Sequence, residues 1–103
     1  MNIKIDGKNK EFKINFISAK MLKKTIELQE KAENDDLGIE ILDEMAEYIV
    51  DIYGNKFTIE QFWEGVDVED IGPIFFDAVK TVMNKFKSKL DLFPKNQTGE
   101  KAK

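Results

Sequence analysis

Cysteine, histidine and arginine are all missing from this chain of 103 residues, and all sixteen of its basic residues are lysines. Without cysteine there are no disulfides and no thiolate metal sites. Without histidine the usual general base near neutral pH and the commonest metal ligand are gone. The two absences together exclude Cys–His and Ser–His–Asp nucleophile arrangements. Without arginine there is no bidentate fork for phosphate or carboxylate. Lys with Asp or Glu is what remains for chemistry, so the expectation is a non-enzymatic protein with no catalytic residue, cofactor or metal. No Gly-rich phosphate loop is present, and no apolar run approaches the roughly 20 residues that span a bilayer. The opening residues alternate Lys with Ile and have no signal-peptide apolar core, which predicts a chain that is not exported.

Hydrophobic residues make up 42% of the chain and aromatics 11%, enough for a modest core in one domain. The net charge of −4 is unevenly spread. Residues 1–24 carry seven Lys against Asp6 and Glu11, and residues 80–103 carry seven Lys against Asp91 and Glu100. Residues 25–79 hold sixteen acids against Lys31 and Lys56, a net of −14. Basic ends and an acidic middle attract either further copies of the chain, head to tail, or a partner of either sign. Solvated helix faces that happen to cluster are the plainer reading.

The pattern predicts a mainly α fold with a small N-terminal β-hairpin (α+β), the hairpin followed by about four helices, the third short. Ile3-Lys4-Ile5 alternates with period two, Asp6-Gly7 is a hairpin turn signal, and Phe12, Ile14 and Phe16 alternate with Lys13 and Asn15. Ser18 is the N-cap expected for a helix to about Asn34, with Met21, Thr25, Leu28 and Ala32 on one line and Glu27–Lys31 a favourable pair. After the polar break Asn34-Asp35-Asp36, a second helix runs from about Leu37 to Tyr53 on the stripe Ile41, Leu42, Met45, Ile49, Ile52 and Tyr53. Gly54 stands where a left-handed C-cap is expected. Thr58-Ile59-Glu60-Gln61 fits a capping box, with Phe57 and Phe62 as its hydrophobic staple, and Gly65 ends this short helix.

Asp67 or Asp70 then caps the last helix, which runs to about Lys89 and has Pro73 in its first turn. Its main stripe is Ile71, Ile74, Phe75, Ala78, Val79, Val82 and Phe86. Phe76, Met83 and Leu90 form a second line at heptad spacing. The two lines together cover roughly 200° of the circumference, where a one-sided surface helix covers about 100°. Either this helix is central, or its second line meets another subunit. Residues 1–93 read as a single helical domain with the hairpin at its start. Residues 94–103 read as a flexible polar tail.

The candidate contact residues are therefore Trp63, Phe76, Met83 and Leu90, for a partner or for self-association. Trp is enriched in interface hot spots, though Phe57, Phe62 and Trp63 can equally lock the short helix onto the core. The acids Asp35, Asp36, Glu40, Asp43, Glu44 and Glu47 lack the spacing and glycine of a calcium loop and read as a solvated face. Lys4, Lys8, Lys10 and Lys13 read as edge-strand protection rather than a nucleic-acid surface, given the acidic total and the lack of Arg.

Ile3-Lys4-Ile5-Asp6-Gly7-Lys8, Tyr53-Gly54-Asn55-Lys56-Phe57-Thr58-Ile59-Glu60-Gln61-Phe62 and Gly65-Val66-Asp67, in this order and ahead of a long helix, resemble the tail assembly chaperones of long-tailed phages and prophages of low-GC Gram-positive bacteria. The resemblance covers about residues 1–90. It implies a non-enzymatic protein of the bacterial host cytoplasm, absent from the mature virion. Such a protein binds the tape measure protein, aids tail tube assembly with the tail tube protein as a further partner, and forms homo-oligomers. Nucleic acid and membrane are not expected partners. Two other functions fit the residues: a small protein-binding adaptor or regulator, and a structural tail or connector component.

Overall fold

A computed structural model of the chain describes residues 1–34 and 36–88. Strands β1 (Asn2–Ile5) and β2 (Lys8–Glu11) pair antiparallel, with Asn2 opposite Glu11 and Ile5 opposite Lys8. Helices α1 (Ala19–Asn34), α2 (Ile39–Ile52), α3 (Ile59–Gly65) and α4 (Ile71–Lys87) follow, with a 3-10 turn over Val68–Asp70 leading straight into α4. This is the expected hairpin with four helices, the third of them short. The expected polar tail lies outside the described residues.

The hairpin turns at Asp6 and Gly7, both with positive φ (53° and 78°), the geometry that lets a two-residue turn follow the twist of its strands. Backbone pairing continues one step past the strands, where the Phe12 N–H donates to the Met1 carbonyl at 2.8 Å. Beyond Phe12 the chain is not a strand, and the expected alternation through Phe16 breaks. Phe12 and Ile14 lean on the core, but Ile17 takes the next inward place and Phe16 is 84% exposed. No neighbouring strand holds a period of two there, so nothing fixes which side chain turns in.

α2 is the element that touches every other helix. Seven of its fourteen residues are buried: Ile41, Met45, Ala46, Tyr48, Ile49, Val50 and Ile52. It ends in a Schellman arrangement, in which the Gly54 N–H donates to Asp51 O (2.9 Å) and the Asn55 N–H to Val50 O (3.0 Å). Gly54 adopts φ +77°, as expected of a left-handed cap. α1 lies along one side of α2, and Lys31 Nζ reaches across to Glu44 Oε2 at 3.0 Å. That pair is half in water and contributes under about 1 kcal/mol.

Inside the α1–α2–α4 layer one polar pair is fully enclosed. The Thr25 hydroxyl donates to the Met21 carbonyl at 2.6 Å and lies 2.7 Å from the Tyr48 hydroxyl, with both side chains out of contact with water. The Tyr48 ring also meets Phe75 of α4 edge-on, with centroids 5.6 Å apart. The buried phenol therefore has its hydrogen bond and its ring has an aromatic neighbour.

Gly65, the last residue of α3, is needed for a reason the sequence does not display. Its φ is not in the left-handed range. Its Cα instead lies against β1, where a Cβ would collide with the Lys4 carbonyl, sit 2.6 Å from Ile3 Cγ2 and 3.0 Å from Lys4 N. This close approach docks the hairpin, with Ile3 fully buried. Gly65→Ala is expected to cost about 1–3 kcal/mol by forcing helix and strand apart, read from a urea unfolding midpoint.

Tyr48→Phe keeps the ring and the Thr25–Met21 bond, and is expected to cost about 0.5–1.5 kcal/mol. Burial raises the Tyr48 phenol above its ordinary value, partly offset by the Thr25 hydrogen bond. The unfolded chain therefore loses this proton first. The contribution is complete below pH about 10 and is lost as pH rises through the folded value. Stability measured above pH about 10 should fall less steeply in Tyr48→Phe than in the wild type.

Candidate interaction surface

Two of the expected contact residues are held by the same device, an exposed aromatic seated on a buried one. In α3 the Thr58 hydroxyl accepts from the Gln61 N–H (3.0 Å), and Gln61 Oε1 accepts from the Thr58 N–H (2.9 Å). This reciprocal capping box sets the start of the helix. It brings Phe57 and Phe62 into the core with near-parallel rings, centroids 6.5 Å apart. The next residue is turned by about 100° around the helix. Trp63 consequently stands at the rim, 37% exposed, edge-on to Phe62 at 5.5 Å.

α4 repeats this arrangement. Asp70 stands at the N-cap position of α4 but its side chain makes no capping bond; Asp67 caps the 3-10 turn ahead of it, its Oδ1 accepting from the Glu69 N–H at 3.0 Å. The turn runs on into α4 with Pro73 in the first turn, where its missing N–H is tolerated. Phe75 is fully buried against Tyr48. Phe76 beside it is 61% exposed, and its ring is edge-on to Phe75 at 5.6 Å. Met83, seven residues on, falls on nearly the same line about 10 Å along the axis. It is half-buried, packed against the core.

Phe76 and Met83 thus share one side of α4, and Trp63 belongs to a different helix. Leu90, the fourth candidate, lies outside the described residues. Phe86, assigned by periodicity to the main stripe, is also substantially exposed.

Periodicity missed the most exposed apolar residues. Besides Phe16 these are Val68, at 82%, and Leu37 and Ile39 on either side of Gly38. Each stands in a capping segment or first turn, where a helical stripe has not begun. The signal that marks them is local: an apolar side chain between polar neighbours, as in Asp67-Val68-Glu69-Asp70.

The clefts offer little chemistry. One of about 490 Å³ beside α1 and α2 is lined mainly by charged side chains, among them Lys24, Glu27, Glu30, Lys31 and Glu44. Among the described residues no group of three or more acids could hold a metal ion, and no helix is long and apolar enough to cross a membrane. Tyr53 joins Tyr48 in having a raised phenol pKa, through burial first and the nearby Asp77 charge second. Neither shift creates a base near neutral pH. What the surface offers is apolar contact on a charged body.

No curated protein and no solved structure matches the chain. A family model described as phage tail chaperone protein matches residues 1–101. With nearly the whole sequence matched, and with the expected caps, staple and helix order in place, the chain belongs to the phage tail chaperone family.

Proposed function

We propose that this tail chaperone binds the tape measure protein, keeps its long apolar helices soluble and aids tail tube assembly around it. It works in the host cytoplasm as a homo-oligomer, without catalysis, and leaves before the virion is complete. The observation that carries this reading is Phe76, 61% exposed while its ring packs at a steep angle against buried Phe75. A ring already in contact with the core loses less freedom when a partner covers it. Trp63 offers a smaller exposed part at the end of α3, seated on Phe62. Met83 adds an unbranched side chain that adapts to varied partners.

Magnitudes favour many weak contacts over one tight one. Covering a Phe side chain contributes about 1.5–3 kcal/mol, which is small beside the cost of association. A long client carrying several chaperones gains through multivalency. The net charge of −14 over residues 25–79 gives a loaded complex a repulsive surface that resists aggregation.

Coexpression tests the reading. The tape measure protein of the same phage should be soluble with the wild-type chain and several-fold less soluble with Phe76→Asp, whose far-UV circular dichroism should match the wild type. Failure of the wild-type chain to keep any tape measure fragment in solution would contradict the proposal. Mass spectrometry of purified particles should find the tail tube protein but not this chain. Its presence at stoichiometric level would make it a structural component instead.

A further inference from the structure

The two most exposed apolar side chains, Phe16 and Val68, stand at opposite ends of α4 in surroundings of opposite charge. At the C-terminal end, Lys85 Nζ donates to the Asn15 carbonyl at 3.1 Å, which pins the segment before α1 beside the last turns of α4. Phe16 and Phe86 both emerge there. Residues 12–26 and 78–88 contain seven lysines and no acid, and Asp77 lies beside Lys13 and Lys80, so this end is predominantly basic. At the N-terminal end, Asp67 caps the turn that exposes Val68, and Trp63 stands at the end of the preceding helix. Residues 57–77 contain six acids and no lysine, and β1 adds Lys4 beside Glu60 and Glu64, so this end is predominantly acidic.

The helix dipole favours acids near the start of α4 and lysines at its end. That accounts for Glu69, Asp70, Lys85 and Lys87. It does not account for an exposed Phe set mainly among lysines and an exposed Val set mainly among acids. Both ends have the composition of half an interface, an apolar centre with a charged rim, and the two rims are complementary.

We propose that the acidic end of one copy, centred on Val68, receives the basic end of the next copy, centred on Phe16 and Phe86. This deepens the self-association in the proposed function and rests on that part of it. The contact is heterologous, with a different patch on each partner, so it extends beyond a dimer unless the rotation between copies closes a ring. Its charged rim makes it sensitive to salt.

Sedimentation velocity on the full chain tests the pairing with Phe16→Asp and Val68→Lys, each checked for wild-type helicity. The wild-type mass should rise with concentration and fall as salt is raised. Each variant alone should stay monomeric over the same range. Mixed one to one, they should form a species of twice the monomer mass and no larger, because Phe16→Asp retains a sound acidic end and Val68→Lys a sound basic one. Variants that associate like the wild type overturn the pairing while leaving self-association intact. A folded mixture that stays monomeric also overturns it. A wild-type chain that is monomeric throughout removes self-association and the pairing together. If both variants lose solubilisation of the tape measure protein with no change in mass, the two ends belong to the client and the pairing is wrong.

Discussion

The central place of α2 is the constraint from which the rest of this fold follows. It buries half its residues and touches α1, α3 and α4, while Glu40, Asp43, Glu47 and Asp51 keep one face of it in water. Each other helix buries a smaller share of its residues. α4 carries apolar residues over a wider arc than its neighbours cover. Phe75, Ala78, Val79 and Val82 reach the core, and the residues beside that face are left out. The exposed ring of Phe76 is thus a consequence of packing geometry in a small domain. The chain does not offset it with a polar residue, and that is why the position reads as functional.

Several small devices keep this economy stable. The Thr25–Tyr48 pair lets a phenol occupy the centre without an unsatisfied hydroxyl. Gly65 lets α3 lie directly on β1, which gives a two-stranded hairpin the support it lacks alone. The Schellman end of α2 and the capping box of α3 stand three residues apart, so the chain reverses between them with its backbone groups satisfied. The exposed aromatics are anchored to this frame through Phe62 and Phe75. A surface built in this way is apolar and joined to the core.

The legible parts of the sequence were those with local causes. Gly54, Thr58 with Gln61, and Phe57 with Phe62 announce themselves because caps and staples are made by residues a few positions apart. The α1, α2 and α3 boundaries fell within about two residues of expectation for that reason. Properties that depend on distant partners did not show. Whether α4 or α2 would be central could not be read from amphipathic width, since both are rich in apolar residues. Gly65 read as a helix stop, but its close contact is with β1, some sixty residues earlier in the chain. Phe16 looked like the next inward residue of a strand until the strand proved to end at Glu11. Of the candidate contacts, Phe76 stands out in the water, Trp63 lies at the rim and Met83 is half-covered, while Phe16 and Val68 needed the folded chain to reveal them.

In the proposed function, apolar side chains outside the core are the working surface. Hydroxyl-radical footprinting of the free chain and of its complex with the tape measure protein tests that most directly, because Trp, Met and Phe are all reactive. Trp63, Phe76 and Met83 should be oxidised in the free chain and protected in the complex, with Phe75 and Phe62 unreactive in both. Equal oxidation of Phe76 and Met83 with and without the client would contradict the account.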